Sequence, residues 1–179
     1  HTIVNEGITA WGNVEHGRAK GMYQAALVAD PNCIAAKIAL ADMANGSEWG
    51  TRSSQIAALA DVSGTPSEMA WLEVMNSSNG PNASYEMAQD MPDDALFHYW
   101  GSWSENVGSA IDGHMAFAER FPSLAAGSFN TLAYAYAQGD GVDTDEVKAR
   151  DFLRSYLRLY NEANAHDSFA EISAIFGDY

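Results

Sequence analysis

Residues 18–31 read Arg-Ala-Lys-Gly-Met-Tyr-Gln-Ala-Ala-Leu-Val-Ala-Asp-Pro, and this stretch decides the fold class. Its regularly spaced apolar residues are Ala19, Met22, Tyr23, Ala26 and Leu27. The spacing i, i+3, i+4, i+7 and i+8 places them on one face of an α-helix. The alternation of apolar and polar residues that indicates a half-buried strand is essentially absent from the chain. The sequence therefore predicts an all-α protein.

The same helical period continues along the rest of the chain, and the five prolines interrupt it. Proline cannot donate a hydrogen bond inside a helix and disfavours helical backbone at the residue before it, so each one marks a predicted boundary. The predicted helices cover 3–15, 18–30, 33–45, 52–62, 66–78, 82–91, 94–106, 108–121, 124–138, 144–160 and 163–176. The residues that fit helix starts are Ser53, Pro66 and Asp94, and those that fit helix ends are Gly17, Gly46 and Gly139. Because short connections make successive helices antiparallel, we expect five helix hairpins and one unpaired final helix.

A spacing of small and aromatic residues recurs among these hairpins. In the first hairpin it comprises Gly7, Ala19, Tyr23, Ala26 and Pro31. It resembles the tetratricopeptide repeat (TPR), in which small residues let paired helices approach closely and an aromatic residue fills the gap between hairpins. Residues 129–136 have the residue types that the TPR has at the key positions of its first helix. Residues 164–171 resemble a form common in bacterial TPR proteins. Residues 138–149 resemble the turn of the related Sel1-like repeat.

The TPR resemblance covers residues 5–45 and 93–176 most clearly. It implies that residues 1–179 form a single TPR-like helical repeat domain. The architecture implied is an α-α superhelix, that is, a TPR-like solenoid.

A TPR-like superhelix would line a concave groove with the first helix of each hairpin. The resemblance places ten residues towards this groove: Asp42, Asn45, His98, Ser102, Glu105, Asn130, Tyr134, Asn164, Asp167 and Glu171. This set has three Asn and four carboxylates but no Lys or Arg. We therefore expect a non-enzymatic scaffold whose acidic groove binds a neutral or basic protein or peptide. The alternative is that these residues form a solvated inner surface and that the partner binds elsewhere.

Composition excludes several other classes of function. The 179 residues carry 9 Lys and Arg against 24 Asp and Glu, a formal net charge of −15. Nucleic acids and anionic membrane surfaces both require a cationic patch, so neither is an expected partner. No apolar run has the length of a membrane span. The high acidity and scarce lysine favour an exported protein, periplasmic or secreted, over a cytoplasmic one.

Catalytic and metal-binding motifs are also missing. The five histidines lack zinc-ligand spacing, and the acidic turn at residues 140–146 does not match the EF-hand pattern, so we expect no metal and no cofactor. Cys33 is the single cysteine and cannot form an intramolecular disulfide. We find no nucleophile elbow or phosphate-binding glycine loop, and an enzyme with an unrecognised site is therefore the least favoured function.

Assembly with further copies is a second functional hypothesis. The final predicted helix has an apolar face, formed by Phe169, Ile172, Ile175 and Phe176, and no following helix to cover it. The chain stops where the family would begin that helix, so the chain is a fragment, the helix is a cap, or it pairs with another copy. Among the aromatic residues, Trp100 and Trp103 are expected in the core between repeats, whereas Trp11 and Trp49 are expected to be partly exposed.

Overall fold

The computed structural model describes residues 2–13, 15–44 and 49–178. These residues contain helices and turns but no β-strand, which confirms the all-α prediction. The α-helices are α1 (Thr2–Gly12), α2 (His16–Ala29), α3 (Ile34–Asp42), α4 (Trp49–Ala57), α5 (Pro66–Asn76), α6 (Gly80–Asp90), α7 (Ala95–Gly101), α8 (Ala110–Arg120), α9 (Ala126–Gln138), α10 (Glu146–Leu159) and α11 (Ala163–Ile175). A 3₁₀ turn at Glu105–Val107 lies between α7 and α8.

The chain divides into two compact units, His1–Gly80 and Pro81–Tyr179. In the first unit, α1 packs on α2, α2 packs on α3, and α1 also contacts α3, while α3 contacts α4 and α5. Tyr23 of α2 is completely buried in this unit. A Cβ atom placed on Gly7 of α1 would lie 2.6 Å from the Tyr23 ring, so the two helices meet at a contact that only glycine allows.

The second unit repeats this order of packing at its C-terminal end. Helix α9 packs on α10, α10 packs on α11, and α9 also contacts α11. Leu153 and Tyr156 of α10 and Ile172 of α11 are fully buried in one apolar core with small residues of α9. Helices α7 and α8 pack on each other, and α8 packs on α9.

Local signals in the sequence located several helix ends. Pro66 opens α5 behind a capping box in which Thr65 and Glu68 bond each other's backbone, and the Asp94 carboxylate caps α7 by accepting from Leu96 N–H. Asp145 caps α10 by accepting from Lys148 N–H. Gly139 follows α9 with φ of 75°, a left-handed conformation that glycine adopts without strain.

Other predicted boundaries are wrong. Ser53 lies inside α4, which begins at Trp49, and Gly17 lies in the first turn of α2. The helix predicted over 94–106 ends at Gly101, because the Ser104 hydroxyl donates to Asn82 Oδ1 and the Ser102 backbone packs against Gly113 of α8. Gly46 lies outside the described residues. The single-domain organisation over 1–179 and the superhelix remain predictions.

Candidate functional site

Four of the ten predicted groove residues come together on helices α9 and α11, and we call them the α9–α11 patch: Asn130, Tyr134, Asp167 and Glu171. Asn130 and Tyr134 lie four residues apart on α9, and Asp167 and Glu171 lie four residues apart on α11, so each pair shares one helix face. The Tyr134 hydroxyl donates a hydrogen bond to Glu171 Oε2 and joins the two helices.

The electrostatics of the patch are those of an anion-rich surface. Partial burial, the hydrogen bond to Glu171 and the charge of Asp167 together raise the pKa of Tyr134 to about 12. Tyr134 therefore remains a protonated donor throughout the physiological pH range. Neither α9 nor α11 contains a Lys or Arg residue, so neither helix can neutralise the two carboxylates with a cation of its own.

Asn130 contributes a side-chain amide to the patch. Its side-chain Oδ1 is buried, and within the described part of the chain it has no hydrogen-bond partner. A buried amide oxygen without a protein partner is normally satisfied by an ordered water. Asn164, also on α11, differs, because its Nδ2 donates to the Tyr156 hydroxyl at 2.9 Å and so braces α10 against α11.

Three predicted groove residues belong instead to the segment around α7. His98 Nε2 lies 3.0 Å from the Pro92 carbonyl oxygen and donates to it, and burial lowers the pKa of His98. Ser102 is 2% exposed, and its hydroxyl donates to the His98 carbonyl, so it does not line an open surface. Glu105 is exposed and accepts from Asn82 Nδ2 at 2.8 Å.

Asp42 lies in the first unit, at the end of α3. Its Oδ2 accepts from the Trp71 indole Nε1 at 3.1 Å, and its Oδ1 is paired with Arg52 at 3.5 Å. Burial raises the pKa of the Asp42 carboxyl, and the bonds from Trp71 and Arg52 oppose that rise. Asp42 thus ties α3 to α4 and α5. Asn45 lies outside the described residues.

Sequence reasoning missed a buried cluster in the second unit. His114 of α8 is fully buried, and its Nδ1 lies 2.9 Å from the hydroxyl of Ser128, which is also buried. Trp103 packs edge-on against His114 but remains 38% exposed, so the expectation that Trp103 belongs to the core is wrong. The sequence did carry a signal for a turn here, since serines flank Trp103 on both sides. The side chain of Trp49 lies outside the described residues.

The last helix is better covered than the sequence suggested. Ile172 is fully buried in the core, and Phe176 packs against that core. The Arg150 guanidinium carbon lies over the Phe176 ring, 5.5 Å from the ring centroid. Only Phe169 and Ile175 of the predicted apolar face remain substantially exposed, at 46% and 45%. Two of the four residues of that face, Ile172 and Phe176, are therefore packed against other residues of the chain.

The described residues contain no group of three or more His, Cys, Asp or Glu side chains placed to hold a metal ion. None of their helices is both long and apolar enough to cross a membrane.

Comparison with models of protein families, with curated proteins and with solved structures finds no match to this chain.

Proposed function

We propose that this protein is a non-enzymatic, TPR-like scaffold that binds a neutral or basic peptide segment of a partner protein on the α9–α11 patch. The observation that carries the proposal is the meeting of Tyr134 with Glu171 across two helices that are not consecutive. The TPR resemblance assigns both helices to the first position of a hairpin, and successive first helices line the groove of such a superhelix.

The chemistry of the patch supports a basic segment over an acidic one. Asp167 and Glu171 are exposed, and a Lys or Arg side chain of the partner would pair with them. An acidic segment would meet like charges on the patch, and this repulsion disfavours it.

Selection from a random peptide library tests this proposal directly. We expect peptides enriched in Lys and Arg, and we expect the double substitution Asp167→Asn and Glu171→Gln to weaken their binding roughly fivefold or more. The matched control is the double substitution Asp140→Asn and Asp143→Asn in the exposed turn before α10, which removes the same charge elsewhere. Equal losses in both variants, or selection of acidic peptides, would contradict a specific acidic site.

Homo-oligomerisation through the C-terminal helix is the second candidate function. Phe169 and Ile175 of α11 are the exposed apolar residues that favour it. Sedimentation velocity at high protein concentration separates the two functions, because a scaffold that acts alone sediments as a monomer and an assembly subunit does not. Substituting Phe169→Ser would dissociate an assembly built on this helix and leave peptide binding intact.

A further inference from the structure

Trp103 lies on the turn between α7 and the 3₁₀ turn at Glu105–Val107 and is 38% exposed. The residues on either side of it, Ser102 and Ser104, are buried instead. A short segment that buries two serines and exposes a tryptophan reverses the usual distribution of polar and apolar residues. The two serine hydroxyls are hydrogen-bonded, so the turn brings the tryptophan to the surface without leaving a buried hydroxyl unsatisfied.

The turn that carries Trp103 is held on three sides. The Ser102 hydroxyl donates to the His98 carbonyl at 3.0 Å, and the Ser104 hydroxyl donates to Asn82 Oδ1 at 2.7 Å. The Ser102 backbone rests directly on Gly113 of α8, where an added Cβ atom would lie 2.3 Å from the Ser102 carbonyl oxygen. The position of the Trp103 backbone is therefore fixed before any partner arrives.

The indole ring is fixed as well. It packs against the buried His114 ring with 4.2 Å between centroids and 81° between planes, and against Tyr99 with 5.1 Å and 89°. Rigid, half-exposed aromatic side chains bind partners with little further loss of conformational entropy, and tryptophan is enriched among the residues that contribute most to interfaces.

The carboxylates along this segment favour a cationic partner over an anionic one. Residues 81–119 contain no Lys or Arg, and their carboxylates are Glu86, Asp90, Asp93, Asp94, Glu105, Asp112 and Glu119. Glu105 follows Trp103 by two residues along the chain, and Asp112 directly precedes Gly113, the residue against which the Ser102 backbone packs. An exposed indole within an anionic segment offers a cation both ring attraction and charge pairing.

We propose that Trp103 is an aromatic anchor that binds an Arg or Lys side chain of a basic segment in a partner protein. The anchor rests on the proposed scaffold function and adds to the α9–α11 patch a second contact point of different chemistry. The cation lies against the Trp103 indole, and Glu105 pairs with its charge.

Nuclear magnetic resonance of the indole N–H groups in the full chain tests the anchor. The probes are the capped pentapeptide Gly-Arg-Gly-Arg-Gly and its uncharged analogue Gly-Gln-Gly-Gln-Gly. We expect the Trp103 indole signal, assigned with the Trp103→Phe variant, to shift with the arginine peptide and not with the glutamine peptide. Trp103→Leu should weaken binding of the arginine peptide roughly two- to fivefold, whereas Trp11→Phe on α1 should leave it unchanged.

The outcomes separate the anchor from the scaffold function. A Trp103 signal that stays still, that shifts equally with both peptides, or that moves no more than the Trp11 signal overturns the anchor. A Trp103 shift that depends on protein concentration without peptide identifies a second copy as the occupant and also overturns it. If library-selected peptides lose affinity with the Asp167→Asn and Glu171→Gln substitutions but not with Trp103→Leu, the scaffold function stands and the anchor fails.

Discussion

Replacing Gly7 with alanine tests the packing of α1 on α2. The new Cβ atom would lie 2.6 Å from Tyr23 Cε1, 3.0 Å from Cδ1 and 3.1 Å from Cζ. These atoms belong to a ring with no exposed surface, and the ring cannot swing away into solvent. Either the helices separate by several tenths of an ångström or the ring leaves its preferred rotamer.

Two opposing effects determine how much Gly7→Ala changes the free energy of unfolding. Alanine in a helix is favoured over glycine by about 0.5–1 kcal/mol because it loses less backbone entropy on folding. Overpacking a filled interior costs about 1–3 kcal/mol. We expect the steric cost to exceed the gain and the free energy of unfolding to fall by about 1–2 kcal/mol.

The matched control is Gly21→Ala in the middle of α2. A Cβ atom at position 21 meets nothing within 4 Å, so this variant should gain about 0.5–1 kcal/mol from helix propensity alone. Urea unfolding of both variants, followed by circular dichroism, gives the comparison. Equal stabilisation by both substitutions would refute the close contact between Gly7 and Tyr23. In a Tyr23→Leu background, Gly7→Ala should lose most of its destabilising effect.

Three further predictions concern buried polar groups and a second close contact. Burial lowers the pKa of His114 to about 4 from 6.5. The resulting contribution of neutral His114 to the free energy of unfolding is therefore complete above pH 6.5 and is lost as the pH falls towards 4. The free energy of unfolding changes by about 3 kcal/mol over this range. Urea midpoints between pH 7 and 4 should fall more steeply for the wild type than for His114→Gln. Gly113→Ala should destabilise by about 3 kcal/mol or more in urea unfolding, because the backbone of Ser102 cannot yield as a side chain would. Asp42→Ala should cost about 1–3 kcal/mol, measured in the same way, since it leaves the buried Trp71 indole N–H without its carboxylate acceptor.

The sequence was most informative where a local rule is strong. The TPR resemblance implied that Gly7 lets α1 and α2 approach closely, and Gly7 does meet a side chain of α2; that side chain is Tyr23, which the resemblance had placed in the gap between hairpins. Pro66 and Asp94 marked helix starts because each satisfies or removes an unpaired backbone N–H through its own chemistry. The two helix-start signals depend on neighbouring residues and are therefore readable in a single chain.

Tertiary contacts set the features that the sequence reasoning missed. The apolar period through Trp103 favoured a helix to residue 106, yet the bond from Ser104 to Asn82 and the contact of Ser102 with Gly113 hold a turn there. Both contacts join residues that lie 11 or more positions apart, which helix periodicity cannot register. Trp103 was assigned to the core for the same reason.

The candidate site was predicted in part. The repeat resemblance placed Tyr134 and Glu171 on one groove; a hydrogen bond joins the two residues, and the groove itself stays a prediction. The buried position of Ser102 was not foreseen, because that residue was assigned by analogy with a regular repeat, whereas α7 ends at Gly101. The position of a residue can be inferred from a repeat pattern only where the helices have the length that the pattern assumes.

Mapping a library-selected basic peptide onto the full chain by backbone amide chemical shifts tests the central claim most directly. We expect the largest shifts to fall on α9 and α11 and to centre on Tyr134 and Glu171, with a second set at Trp103. Largest shifts on α10 or within the first unit, with α9 and α11 unchanged, would contradict it.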